Sequence, residues 1–281
     1  MSNVPWLLYT YAWMPYPRRI SIYLREKNIP ESLIRIIDCW DPATEGMLRE
    51  ENLPAKPAGS LPILAIPNHG GAEGHSDKGY TYIRQSVAII KYIDEHCDQG
   101  ILGFPKSEYS MAGESAIERA RITEICALAD DCLTGWNSVR TFGSAAGALE
   151  DPAASRQMMK WVKRSLQTIE QWWNDRDMQI LRIGGGGQVN LGDILLFQFL
   201  QFTKEDYGVD MTKGTKTVVK DAYDREVLDD YPKLAEFYEA FGSRDSAMLD
   251  GDRGDVAPES VSKVMKTWWE GSLAESGALP V

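Results

Sequence analysis

The hydrophobic pattern of this chain changes its period once, and that change constrains the fold more than any single motif. Up to about residue 97, short apolar runs alternate with stretches at helical spacing; beyond about residue 112, every apolar stretch repeats at helical spacing. Residues 6–12 (WLLYTYA) read as a strand, aromatic and apolar throughout. Pro15 and Pro17 suit the first turn of a helix, along which Ile20, Tyr23, Leu24 and Lys27 recur, with Asn28 as its stop. Residues 33–39 (LIRIIDC) read as a second strand. A connection this short that contains a helix predicts a parallel βαβ unit. A short helix is expected at 44–51. Residues 60–66 (SLPILAI) and 80–83 form a third and fourth strand, joined as a hairpin through the glycine-rich loop 67–79, and a helix runs from Ser86 to about Cys97. Helices are then expected at 114–142, 152–182, 194–202, 218–229, 232–243 and 258–269.

At roughly 150 residues per domain, 281 residues accommodate two domains. The pattern divides them as an α/β domain at 1–99, a linker rich in glycine and proline at 100–112, and an all-helical domain at 113–281.

Composition excludes several functions. The formal net charge is -11 and no basic run is longer than Arg18-Arg19, so neither nucleic acid nor an anionic membrane surface is an expected partner. No apolar run reaches the ~18 residues of a membrane span. The N-terminal stretch has no basic region and carries Pro5, Pro15 and Pro17, unlike a secretory signal. Four cysteines with no CxxC pair read as reduced, buried thiols of a cytoplasmic protein. His69 and His75 have no Cys or carboxylate at ligand spacing, so no metal site is expected. The run of four glycines at 184–187 lacks the Lys-Ser/Thr of a phosphate loop, and no GxSxG is present.

Three features bear on chemistry. Pro62 interrupts an otherwise buried strand. It is either an edge-strand proline or the second half of a cis Leu61–Pro62 bond, which turns the Leu61 backbone toward a peptide-like ligand. Gln85-Ser86 stands where a strand gives way to a helix; it either caps the helix or offers its N-terminal N–H groups to a carboxylate. Asn190 to Asp193 has the logic of a capping box and reads as structural.

Taken in order, these segments resemble the cytosolic glutathione transferase superfamily, with a fungal flavour. The stretch from Met14-Pro15 to Ile29 resembles the family's first helix, and Pro57 to Leu64 resembles the segment bearing the cis-proline. Ile83 to Ile93 resembles the γ-glutamyl-binding motif, Asn190 to Asp193 the capping box, and Tyr231 to Ser246 the late helix. The resemblance spans nearly the whole chain. It implies a thioredoxin-like N-terminal domain, an all-helical C-terminal domain, glutathione as co-substrate or cofactor, and a homodimer. It further implies that Leu61 pairs with the cysteinyl part of glutathione through its backbone, next to Pro62. Gln85 and Ser86 hold the γ-glutamyl carboxylate, and Lys56 is a candidate for the glycyl carboxylate.

One departure bears on the reaction. Serine- and cysteine-type members place Ser or Cys where this chain has Met14, and a thioether donates no hydrogen bond. Tyrosine-type members carry a tyrosine near the end of the first strand, which makes Tyr11 the catalytic candidate, with the helix N-terminus beside it. Trp13, Met14 and Tyr16 are expected to floor an apolar acceptor pocket between the domains. Trp136 and Arg140, one turn apart, are expected to wall it, with Arg140 orienting an oxyanion or carboxylate. The expected activity is thiolate addition, substitution or glutathione-assisted isomerisation of an apolar electrophile. The alternative is a member that has lost conjugation and either catalyses a glutathione-independent rearrangement or serves as a binding module. The chain beyond about 247, with Trp268 and Trp269, extends past the usual end of the family.

Overall fold

The structure is a computed structural model that describes residues 4–41, 46–47, 54–68, 79–144, 146–184, 187–268 and 270. His69, His75, Trp269, most of the 67–79 loop and the last eleven residues lie outside the described set.

The N-terminal half carries β1 (Trp6–Thr10), α1 (Pro15–Glu26), β2 (Ile34–Asp38), β3 (Trp40–Asp41), β4 (Gly46–Met47), β5 (Ile63–Pro67), β6 (Tyr80–Arg84) and α2 (Ser86–Gln99). The main sheet has the order β2-β1-β5-β6. β1 and β2 are parallel, with Trp6 opposite Ile34 and Thr10 opposite Asp38. β5 is antiparallel to both β1 and β6. The βαβ unit and the hairpin read from the sequence are therefore both present. β1, in the middle of the sheet, is apolar because both its faces are covered: every one of its residues is buried. One correction falls here. The helix expected at 44–51 gives way at its described residues to a strand, Met47 pairing with Trp40 and Gly46 with Asp41.

α1 starts on Pro15, whose missing N–H costs nothing in the first turn. α2 ends on Gly100, at φ 63, the left-handed conformation that closes helix C-termini.

The second half carries α3 (Ala116–Gly143), α4 (Pro152–Trp172), α5 (Leu191–Tyr207), a hairpin of β7 (Val218–Lys220) and β8 (Glu226–Leu228), α6 (Pro232–Gly242) and α7 (Glu259–Trp268). Ser115 caps α3 through the Glu118 N–H, and the Asp151 carboxylate caps α4 through the Ala153 and Ala154 N–H groups. The capping box of α5 is complete: the Asn190 side chain accepts from the Asp193 N–H and the Asp193 carboxylate accepts from the Asn190 N–H. Asp193 also takes a bidentate pair of bonds from Arg176, at 2.7 and 2.9 Å. The helix expected at 218–229 is instead the β7–β8 hairpin, with Val218 opposite Leu228. The β-branched run Thr217-Val218-Val219 and a turn through Asp224 at φ 63 are the local reasons. The long helix expected at 152–182 stops at Trp172, and only residues 179–181 beyond it coil again, as a 3-10 turn.

The contacts divide the chain into two units: residues 1–112 with 249–257, and residues 113–248 with 258–281. The expected linker at 100–112 thus packs within the first unit. Its anchor is Asp94, which accepts from the Tyr23 hydroxyl at 2.9 Å, the Lys27 ammonium at 3.1 Å and the Ala112 N–H at 3.3 Å. Segment 249–257 returns to the first unit through Asp255. That fully buried carboxylate takes two bonds from Arg25, at 2.8 and 2.9 Å, and a contact from Arg18 at 3.0 Å. Burial lowers the Arg18 guanidinium to about 10, even with Asp255 opposing the shift.

Candidate functional site

The β5–β6 ladder ends at the pair Ile63–Arg84. Leu61 and Ser86 each lie two residues beyond that last pair, so the chain leaves the sheet on both strands at the same level. The Leu61–Pro62 bond is cis. Pro62 is buried, Leu61 is half-buried, and neither pairs with a described strand.

At the other strand, Gln85 has φ 72, a region that a residue with a side chain seldom enters without a local reason. It turns the chain directly into α2. The first helical bond runs from the Ile89 N–H to the Gln85 carbonyl at 3.0 Å, so the N–H groups of Ser86, Val87 and Ala88 precede the ladder of the helix. Gln85 is exposed and makes no side-chain cap bond, whereas Ser86 is buried. A helix N-terminus flanked by a hydroxyl and an exposed amide favours a carboxylate.

Lys56 is engaged in its own loop. Its ammonium donates to the Pro57 carbonyl at 2.9 Å and the Gly59 carbonyl at 2.8 Å. Arg84 reaches the same loop at the Ala58 carbonyl, 3.4 Å away. Both cations hold the segment that leads into Leu61.

Tyr11 follows the end of β1. It packs with Leu61 against one sheet face, formed by Leu7, Tyr9, Ile37, Cys39, Ile63 and Ala65. Burial first, then Cys39 and Asp38, push its phenol up from 10.0, so it keeps its proton and acts as a donor. Tyr9, by contrast, is buried and spends its hydroxyl on the Pro54 carbonyl at 2.6 Å. Burial pushes the Cys39 thiol up, the direction of an unreactive thiol.

Met14 is the N-cap of α1 and makes no side-chain cap bond. Pro15 and Pro17 have no N–H, and the Met14 N–H donates to the Tyr11 carbonyl at 2.9 Å. The Tyr16 N–H is therefore the remaining backbone donor of that first turn. Trp13 is buried; its ring stacks on Tyr11 at 6.1 Å and meets Trp40 edge-on at 6.0 Å. The indole nitrogens of Trp13 and Trp40 and the Thr10 hydroxyl are buried without hydrogen-bond partners among the described residues. Sequence reading preferred Tyr11 to Thr10 and passed over Trp40. The signal was present in β1 and β2, whose parallel pairing brings residue 10 beside residue 38 and so collects both strand ends.

Trp13, Met14 and Tyr16 belong to the first unit, and Trp136 and Arg140 to the second. Trp136 is fully buried, edge-on to Tyr207 at 5.2 Å. The Arg140 guanidinium lies over the Trp268 ring at 5.6 Å. The second unit also has a cavity of about 240 Å³ lined by Ile122, Ile125, Trp173 and Arg176, among others, with none of the expected site residues in its wall. No group of three His, Cys, Asp or Glu suited to a metal occurs among the described residues, and no described helix is long and apolar enough to cross a membrane.

A parallel βαβ unit continued by an antiparallel hairpin and helix defines a thioredoxin-like domain, here followed by a helical region. Residues 13–96 match the family model of the glutathione S-transferase N-terminal domain. A glutathione S-transferase from Methylobacillus flagellatus, solved with glutathione bound, is 18% identical over 86% of this chain and 96% of its own, with a TM-score of 0.55. A family member from Pseudomonas fluorescens with two glutathione bound is 19% identical over 91% and 94%, with a TM-score of 0.56. Glutathione transferase Omega 3C from Trametes versicolor is 14% identical over 96% and 93%, with a TM-score of 0.55. No curated protein sequence matches. The match places a glutathione S-transferase N-terminal domain at residues 13–96, and the fold of the chain is similar to that of these solved glutathione transferases.

Proposed function

We propose that the protein binds glutathione in its first unit and uses the thiol on an apolar electrophile, by addition, substitution or glutathione-assisted isomerisation. The observation that carries this reading is the paired exit of Leu61 and Ser86 from the end of the β5–β6 ladder, which sets a strand-like backbone beside a helix N-terminus. A γ-glutamyl peptide has complementary parts: a carboxylate for Gln85, Ser86 and the α2 N-terminus, and a peptide group for Leu61. Pro62 shapes that edge. Lys56 reaches a glycyl carboxylate by exchanging its loop carbonyls for it.

Tyr11 keeps its proton and donates a hydrogen bond from its phenol to the sulfur, and the N-terminal field of α1 favours the thiolate. Trp13, Met14 and Tyr16 present apolar surface to the electrophile. The reading extends to a cytoplasmic homodimer.

A second reading, loss of conventional conjugation, draws on Met14, which supplies no donor at the N-cap of α1. Titration of the full chain with glutathione by calorimetry tests the site. Heat of binding that saturates in the micromolar to millimolar range is expected, and none at millimolar glutathione overturns it. Turnover with and without glutathione then separates the two readings.

A further inference from the structure

Three buried hydrogen-bond donors of the helical unit have no partner among the described residues: the Trp136 indole nitrogen, the Arg140 Nε and the Tyr207 hydroxyl. They belong to one cluster. Trp136 and Arg140 stand one turn apart on α3. The Trp136 ring meets the Tyr207 ring edge-on at 5.2 Å, and Phe202 closes on Tyr207 from the other side at 5.4 Å. Burial pushes the Tyr207 phenol up to about 12, and the neighbouring Arg140 guanidinium offsets part of that rise. α7 packs on α5, with Met265 buried and Trp268 under the Arg140 guanidinium.

Trp136 and Tyr207 are fully buried. A structural cluster of this kind normally satisfies its polar atoms, because each one left unpaired loses its hydration with nothing in return. The chemistry of the three is also one-sided. An indole N–H and a guanidinium N–H only donate, and a phenol beside them donates as well. Such a set calls for an oxygen that accepts from all three.

We infer that Trp136, Arg140 and Tyr207 form a subsite for a carboxylate or other oxyanion, roofed by α7, and that the ligand it takes is an apolar molecule with one anionic group. Other charges bear on it. Asp206 and Glu205 on α5 oppose an anion, and Lys266 on α7 favours it. Arg140 supplies the fixed positive charge and the planar fork that suits a carboxylate. As an account of the acceptor this rests on the glutathione reading, but as a binding site it stands on the helical unit alone.

The test is calorimetric titration of the full chain, in the absence of glutathione, with benzoate and with its uncharged isostere benzamide. Benzoate is expected to bind at least tenfold more tightly than benzamide. Tyr207→Phe keeps the ring packing and removes the hydroxyl; it is expected to weaken benzoate at least fivefold while leaving the melting temperature equal to or above that of the parent. Arg140→Lys keeps the charge and removes the Nε donor, and is expected to weaken benzoate to a similar degree. Benzoate binding no tighter than benzamide, or parent affinity in both variants, overturns the subsite. A failed glutathione titration overturns the first-unit reading and leaves this one standing.

Discussion

The two units offer ligands different kinds of groups. In the first unit the candidate site is built largely of backbone: Leu61 outside the ladder, the α2 N-terminus behind Gln85, and the lone Tyr16 N–H at the start of α1. In the second it is built of side chains that three helices bring together, Trp136 and Arg140 from α3, Tyr207 from α5 and Trp268 from α7. Backbone groups survive most changes of side chain, since every residue but proline carries the same donor and acceptor. The family match, to a model of the N-terminal domain, covers 13–96 and so takes in both Leu61 and the start of α2. Side-chain sites, by contrast, are particular to one sequence.

The comparison breaks if the first unit does not depend on its distant segment. Asp255→Ala leaves the buried Arg18 and Arg25 without their carboxylate, and a loss of about 3–5 kcal/mol in urea unfolding is expected. An effect below about 1 kcal/mol indicates that segment 249–257 is an accessory to that unit.

In the helical unit, burial and Glu205 raise the Asp206 carboxyl to about 7, against a partial offset from Lys266. The folded protein therefore holds this proton to a higher pH than the unfolded chain. Below about pH 4 both states are protonated and the group contributes nothing. As pH rises from about 4 to 7 the unfolded state releases its proton first, so stability falls across that window and stays lower above it. Asp206→Asn removes this slope, and at pH 8 the variant is expected to be more stable by roughly 2–4 kcal/mol. Parallel pH–stability curves for parent and variant count against a buried Asp206.

A smaller effect sharpens the backbone side of the contrast. Tyr11→Phe removes the half-buried phenol beside Leu61. Turnover with glutathione is expected to fall about 10–100-fold, the size of one lost hydrogen bond to a charged sulfur, with glutathione affinity unchanged. Equal losses in affinity and turnover place Tyr11 in binding rather than in catalysis. Smallest is Ser86→Ala, which removes one hydroxyl from a site otherwise made of backbone N–H groups. Glutathione binding is expected to weaken by about 1–2 kcal/mol in calorimetry, and complete loss shows that the side chain outweighs the helix N-terminus.

Much of the fold was legible where its signals are local. The Pro62 inside an apolar run, the Gln85-Ser86 step from strand to helix, and the Asn190-to-Asp193 box each announce themselves within four residues. The hairpin at 218–228 was missed although Thr217-Val218-Val219 carried a β-branched signal, because flanking helices set a helical expectation. Lys56 was expected to face a ligand, and the structure shows its ammonium on the Pro57 and Gly59 carbonyls, a loop geometry that residue type does not reveal.

By itself the sequence determined the succession of β1, α1, β2, β5, β6 and α2, the parallel pairing of β1 and β2, the capping box of α5, and which residues flank the end of the β5–β6 ladder. These depend on hydrophobic period and on backbone preferences, which act over a few residues. Tertiary structure alone decided that Asp255 meets Arg18 and Arg25, 230 residues from the latter, that Trp40 and Thr10 collect beside Trp13, and that Tyr207 comes to Trp136 and Arg140. Such meetings depend on packing between elements distant in the chain, and the energy of a buried charge or an unpaired donor is set by what surrounds it, which no stretch of sequence contains.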